Sequence, residues 1–262
     1  MSRPYLDPSP LPGPDQWADE DLVGLTVGFD APLVLRAYAN AMFPMPLAEE
    51  LADVLPPAPW VGWFSPVRRG ILPLDGLRVT RSLRKNARHF EVTVDRAFDQ
   101  VLAACRAVDR DGGWIDDGVV AVYTELYRAG RAHSVEAWTA DGRLAGGLYG
   151  VAYGGFFAGE SMFHDEEAGR DASKVALMGL VAMLRAGGRP ERRLLDVQWR
   201  TDHLATLGAV EVDREEYRRL LHRALDLPQP RWEIPADWRT SCLPGEQHLP
   251  RSPRLPAGPV LG

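Results

Sequence analysis

The sequence predicts an α/β (α+β) chain, with a small N-terminal domain and a larger one built on a mixed, mostly antiparallel sheet. Two observations carry this. From residue 90 onward, short alternating segments and amphipathic segments come in the order strand, helix, helix, three strands, helix, strand, helix, strand. The three central strands include GGLYGVAYGGFFAGESMF, residues 146–163, a glycine-rich hairpin with a single carboxylate, Glu160, near its end. Six glycines in that stretch weaken a strand. Either a ligand lies close against the main chain there, or the hairpin is tight and bulged.

Residues 1–20 are proline-rich and expected to be flexible. A helix is expected over 32–41, because proline suits a helix start and Leu33, Ala37 and Tyr38 share a face. It ends at Phe43-Pro44-Met45-Pro46. Residues 55–66, rich in proline and tryptophan, read as irregular and aromatic-lined, and these pieces form the domain of residues 21–77. In the larger domain, 78–242, residues 90–94 alternate as a strand. Asp95 then caps a helix carrying Phe98, Val101, Leu102 and Cys105 on one face. A second helix covers 117–128 and stops at Gly130. Strands are expected over 133–139, 143–153 and 155–163, joined by turns at Asp141-Gly142 and Gly154-Gly155. A helix over 172–186 closes on Gly187-Gly188. Then come a strand over 193–199, a short helix over 202–207 and a strand near Val210. Asp213 and Glu216 start the last helix with a capping-box pattern. Residues 243–262 form a proline-rich tail expected to be disordered.

Composition narrows the function. With 262 residues, 45% hydrophobic and 25% charged, the chain can bury a sizeable core. A net charge of −6 argues against a protein that coats nucleic acid, but leaves room for a local basic patch. Two cysteines, Cys105 and Cys242, make neither a disulfide framework nor a metal motif. There is no apolar run long enough for a membrane span and no signal-peptide core in MSRPYLDPSPLPGPDQW, so a cytoplasmic location is expected.

The element order resembles the acetyltransferase-like fold called GNAT, whose donor lies between the fourth strand and the helix after it. In that fold the loop before the helix usually holds the pyrophosphate of acyl-coenzyme A. Here the loop carries Asp165, Glu166, Glu167 and Asp171, and carboxylates oppose an anion that a helix N-terminus would favour. Three further features stand out. The segment RVTRSLRKNARH puts Arg81, Arg84, Lys85 and Arg88 on one helical face, either a phosphate-binding stripe or a solvated surface. Asp196 and Gln198, two apart at a strand end, share a side of the sheet by alternation. They could orient an amine and accept its proton, or simply bond nearby backbone. Asp202 and His203 read as a helix cap and a surface histidine. Trp60, Trp63, Phe64 and Trp114 lie in loop-like sequence, where aromatics stack on planar ligands or plug a core.

Taken together, WFSPVRRGILP, RSLRK, WIDDGVVAVYTELYRAGRAHSVEAW, GGLYGVAYGGFFAGESMF, DASKVAL and LLDVQWRTDHLATLGA resemble the leucyl/phenylalanyl-tRNA–protein transferase family. AYANAMFPM resembles that family's Y-x-x-G-x-F-P segment. The resemblance spans about residues 22–220. It implies an enzyme that moves leucine, phenylalanine and also methionine from aminoacyl-tRNA to the N-terminal α-amine of proteins beginning with arginine or lysine, creating an N-degron. No cofactor or metal is implied, and a monomer is expected. By position, Asp196 and Gln198 would orient and help deprotonate the acceptor amine, and Glu160 would shape the reaction centre. Trp114 would stack near the terminal adenosine, with Trp63 and Phe64 as further stacking positions. Leu148 and Phe157 would line the aminoacyl pocket, and Ser161 would contact the substrate. Arg81, Arg84, Lys85 and Arg88 would hold the tRNA acceptor stem. The family's second tryptophan before Ser-Pro is Phe64 here, its glycine before F-P is replaced in Ala41-Met42, and its N-A-S-K reads Asp171-Ala172-Ser173-Lys174. The alternatives are an acyltransferase of the same fold using acyl-coenzyme A, or a non-catalytic RNA-binding protein.

Overall fold

The computed structural model describes residues 11–47, 53, 55–108 and 114–244. Most of the expected proline-rich tail, and residues 1–10 of the N-terminus, lie outside these. In chain order the elements begin with β1 (Leu22–Val27), α1 (Ala31–Ala39), β2 (Phe43–Pro46), β3 (Trp60–Phe64) and β4 (Arg68–Ile71). Next come α2 (Arg81–Asn86), β5 (Glu91–Val94), α3 (Phe98–Ala107) and α4 (Asp117–Arg128). Three long strands, β6 (Ala132–Trp138), β7 (Leu144–Tyr153) and β8 (Phe156–His164), precede α5 (Ala172–Ala186). The chain finishes with β9 (Leu194–Gln198), α6 (Asp202–Thr206), β10 (Val210–Asp213), α7 (Arg214–Leu225) and α8 (Trp238–Ser241).

The strands form two sheets. A three-stranded sheet runs β1-β3-β2, and a seven-stranded sheet runs β10-β4-β9-β8-β7-β6-β5. All paired neighbours are antiparallel except β8 and β9, joined through α5. The mixed, mostly antiparallel architecture expected from the sequence is therefore present. The large sheet separates two cores. Side chains of α1, α3 and α4, together with α7, pack on one face, and those of α2, α5 and α8 on the other. α5 is buried along nearly its whole surface, which its almost wholly apolar sequence anticipates.

Several local expectations change. Residues 60–64, read as irregular, are the central strand of the small sheet, because tryptophan, valine and phenylalanine suit a pleated surface. β4 lies on the N-terminal side of residue 77 yet pairs inside the large sheet, between β10 and β9. Asp95 does not cap α3. It sits at φ +56°, accepts the Ser134 amide at 2.9 Å and pairs with the His133 imidazole at 2.6 Å. Cross-strand partners outcompete the helix end. Thr201, not Asp202, caps α6, through the Leu204 amide. By contrast, Asp213 caps α7 as expected, accepting the Glu216 amide at 2.8 Å. Cys105 and Cys242 are both free and buried.

Candidate active site

β8 and β9 pair only as far as Ala158 and Asp196. Beyond that point β8 stays with β7 while β9 departs, and a cavity of about 470 Å³ opens between them. Crevices at the carboxyl ends of parallel strands are the usual ligand sites of open sheets, and this volume suits a small organic group. Leu72, Leu148, Leu177, Leu180 and Leu195 make an apolar floor. Phe43, Trp114 and Trp199, with Met45 beside them, form the aromatic side, and Glu160, Ser161, Gln198, Thr201 and His203 supply the polar groups.

Glu160 reaches the cavity through a β-bulge. Tyr149 pairs with Ser161 and Gly150 with Gly159, so Glu160 is the extra residue. A bulge re-aims a side chain out of strand alternation, and here it turns the carboxyl toward α1. Tyr38 donates its hydroxyl to Glu160 Oε1, and the Tyr123 hydroxyl from α4 lies beside the same carboxyl. Burial is the largest influence on this group and pushes its pKa up; Tyr38 lowers it, and the negative charge of Asp196 raises it again. The balance is pushed up to about 8. The Tyr38 hydroxyl is raised well above its ordinary value by burial and by Glu160.

The hairpin glycines answer to the protein's own packing rather than to a ligand. A Cβ on Gly150 would meet the Ala158 carbonyl at 2.1 Å, and one on Gly146 would meet Ala172 Cβ at 2.7 Å. Backbone and α5 fill those places, and of the six glycines only Gly159 lines the cavity.

Asp196 and Gln198 do not stand side by side. Asp196 is fully buried and its carboxylate is saturated by the protein. Arg69 Nε donates to Oδ1 at 2.9 Å and Nη2 to Oδ2 at 2.6 Å. The Tyr217 hydroxyl donates to Oδ2 at 3.0 Å, and the Gln198 backbone N–H to Oδ1 at 3.0 Å. Arg69 is itself 1% exposed, donates to the Ala41 carbonyl at 3.3 Å, and lies between the rings of Phe43 and Tyr217. Gln198 takes a left-handed backbone conformation, φ +56°, and its Nε2 is buried with no hydrogen-bond partner among the described residues. Alternation fails at this pair because β9 ends in that turn, so the amide meets the cavity while the carboxylate faces the core.

The other expected positions divide. Trp114, Leu148 and Ser161 line the cavity. Phe157 does not. It is fully buried near Trp232 and pairs with Leu195 below the point where β8 and β9 part. Trp63 is likewise a core plug, fully buried with its indole N–H on Thr26 Oγ1 at 2.9 Å. Phe64 stands behind the rim, 5.9 Å from Phe43 and 5.4 Å from Trp199, centroid to centroid. Arg81, Arg84, Lys85 and Arg88 all face solvent while Leu83 and Ala87 anchor α2. His203, read as a surface residue, is exposed but also lines the cavity.

Sequence reasoning misses four residues: Tyr38, Tyr123, Arg69 and Trp199. Trp199 Nε1 donates to Asp21 Oδ2 at 2.8 Å, which ties the rim to the segment before β1. The one available signal is charge: Arg69 comes directly after another arginine and before an apolar run that must be buried. In the loop after β8, Asp171 at φ +68° accepts from Asn86 and Lys174, both at 2.9 Å. Burial alone would raise its pKa, but these partners bring it below the ordinary carboxylate range.

An apolar cleft at a split parallel pair, with a carboxyl, an amide and aromatic rings at its mouth, can hold an apolar acyl group and meet an incoming amine, as an acyltransferase requires. The comparisons give the kind of acyl group. Residues 71–222 match the family described as leucyl/phenylalanyl-tRNA protein transferase. The chain is similar to the leucyl/phenylalanyl-tRNA–protein transferase of Rhizorhabdus wittichii, 52% identical over 75% of each chain. It is similar to that of Afipia carboxidovorans, 47% identical over 78% of this chain and 86% of the other. A looser likeness joins it to the solved structure of L-PGS from Bacillus licheniformis, with a TM-score of 0.35 and 12% identity over 50% of this chain and 45% of that one. The chain belongs to the leucyl/phenylalanyl-tRNA–protein transferase family and is an aminoacyltransferase. Among the described residues no helix is long and apolar enough to cross a membrane.

Proposed function

We propose that this chain takes leucine, and with it phenylalanine and methionine, from aminoacyl-tRNA and attaches it to the α-amine of proteins beginning with arginine or lysine, marking them for degradation. The observation that carries the reading is the apolar cleft between β8 and β9 with Gln198 and Glu160 at its mouth. The aminoacyl side chain occupies the floor around Leu148, Leu177 and Leu195, and Trp114 stacks on the terminal adenine. Ser161 contacts the ester end. Gln198 holds the incoming amine, and Asp196 fixes Gln198 through its backbone N–H. The exposed cations of α2 take the phosphates of the acceptor stem. One chain supplies all of these groups, so a monomer suffices, working in the cytoplasm where charged tRNA is found. Residues 78–242 would carry the chemistry, with residues 21–77 closing the aromatic side of the cleft.

The experiment uses purified protein, charged leucyl-tRNA and two peptides alike except for their first residue, arginine or alanine. Mass spectrometry should show one added leucine on the arginine peptide alone. Equal labelling of both would refute the acceptor rule. Absence of a leucine adduct on either peptide would refute the transfer reading.

A further inference from the structure

The saturated state of Asp196 raises the question of where the proton of the attacking amine goes. Each of its oxygens already accepts two hydrogen bonds, from Arg69 and Gln198 on one and from Arg69 and Tyr217 on the other. A carboxylate has about four acceptor sites in all, and none is left for an incoming amine. Gln198 offers an amide, which orients an amine without holding its proton at neutral pH. Among the described residues one carboxyl lines the cleft, that of Glu160, across the split from Gln198. Only part of its capacity is met by Tyr38 and Tyr123, and although the bulge turns the carboxyl toward α1, Glu160 forms part of the cleft wall.

We propose that Glu160 is the catalytic base of aminoacyl transfer, and that Asp196 is a positioning residue acting through Gln198. The inference rests on the transfer function proposed above. The neutral amine attacks the ester carbonyl, and its lone pair makes the new C–N bond. The N–H proton passes to the Glu160 carboxylate. The C–O bond to the tRNA ribose then breaks, with its electron pair on the ribose oxygen, and Glu160 returns the same proton to that oxygen. Peptide and free tRNA hydroxyl leave, and Glu160 is again a carboxylate.

The surroundings suit that cycle. Tyr38 from α1 and Tyr123 from α4 face the carboxyl, with Asp196 from β9 and Arg69 from β4 acting at longer range. Burial leads these influences and brings the group to about 8, close to the reference of about 7.7–8.0 for an α-amine. A base matched to its substrate takes and returns a proton with little driving force lost either way. His203, also on the cleft, has its pKa lowered by burial and by Lys174 and His164.

The test is a pH profile of leucine transfer to an arginine peptide, at low peptide and saturating leucyl-tRNA, from about pH 6 to 9. The wild type needs both a neutral amine and an ionised Glu160, so its log rate should climb with a slope approaching two below about pH 7. Glu160→Gln should be at least about tenfold slower at about pH 9 and climb with a slope of about one. Asp196→Asn should be slower but keep the steep slope, as befits a positioning residue. Tyr38→Phe removes a hydrogen bond to the ionised form, which raises the pKa of Glu160 and moves the profile to higher pH. A Glu160→Gln protein with wild-type rate and slope would overturn the assignment while leaving the transfer function intact. A wild type that transfers no leucine would overturn the function and this proposal with it.

Discussion

Replacing Arg69 with methionine should destabilise the protein by about 3–5 kcal/mol, because it leaves a buried carboxylate without its cation. The structure supports a value in that range. The Arg69 and Asp196 side chains are 1% and 0% exposed, so solvent cannot take over. Two charge-assisted hydrogen bonds to Asp196 and one to Ala41 are lost, along with contacts to the rings of Phe43 and Tyr217. Tyr217 and the Gln198 amide would still serve Asp196, but as neutral donors. For a chain of this size, at about 2–4 °C per kcal/mol, the melting point should fall by about 6–20 °C. The assay is urea unfolding of Arg69→Met, Asp196→Leu and the double variant. The double variant removes both charges, so it should be more stable than the sum of the two losses by at least about 2 kcal/mol, the coupling expected of groups in one network. Strict additivity within about 0.5 kcal/mol would show that the pair does not interact and that Gln198 is held by something else.

Other outcomes are expected. Glu160 has its carboxyl pKa raised in the folded protein, so its neutral form contributes stability that is present below its ordinary pKa and lost as pH rises toward about 8. Chemical unfolding at about pH 5 and about pH 8 should therefore show a decline in wild type that Glu160→Gln largely lacks; parallel declines would refute the raised pKa. Arg81→Ala with Arg84→Ala should flatten the salt dependence of tRNA binding by about two units of slope, one per phosphate contact. Titrations at several salt concentrations check this, and unchanged slopes would leave α2 a solvated face. Leucyl-tRNA should react faster than valyl-tRNA, since a shorter branched side chain loses about 1–3 kcal/mol of contact with the apolar floor; equal single-turnover rates would contradict that floor. Gly150→Ala should unfold the protein more easily, because its Cβ would sit 2.1 Å from the Ala158 carbonyl. A melting point equal to wild type would show that β7 and β8 can shift apart.

The parts of the fold legible in the sequence are those whose signals are local. Period-2 and period-3.6 patterns place β6, β7 and β8 and the helices α4, α5 and α7 within a residue or two. Glu160, Gln198, Trp114 and Leu148 lie on motifs, and all four meet at one cavity. The features that escape a reading of the sequence are decided by partners distant along the chain. β3 is hidden because its strand character lies in pairing on both sides with β1 and β2, through a proline-bearing edge. The expected adjacency of Asp196 and Gln198 breaks because a left-handed residue at a strand end stops the alternation. Phe157 is close to Glu160 in sequence and packs on the same face of the sheet as Leu148 and Leu195, but it lies where β8 and β9 are still paired, so it fills the core below the cleft. Tyr38 and Tyr123 give no signal at all, since nothing in a helix says which group its buried hydroxyl will meet.

The knot around Arg69 also joins early and late parts of the chain. Arg69 and Asp196 are 127 residues apart, and Tyr217 lies a further 21 along the chain. A contact of that span forms only after the intervening chain has been made and closed. During synthesis the aromatic wall from Phe43 and the cation from Arg69 emerge early, and they wait for β9 and then α7 to arrive. Until α7 has packed, Asp196 lacks its hydrogen bond from Tyr217 and Arg69 lacks one of its two ring contacts. A nascent chain stopped before Tyr217 therefore lacks one of the four hydrogen bonds that hold the Asp196 carboxylate.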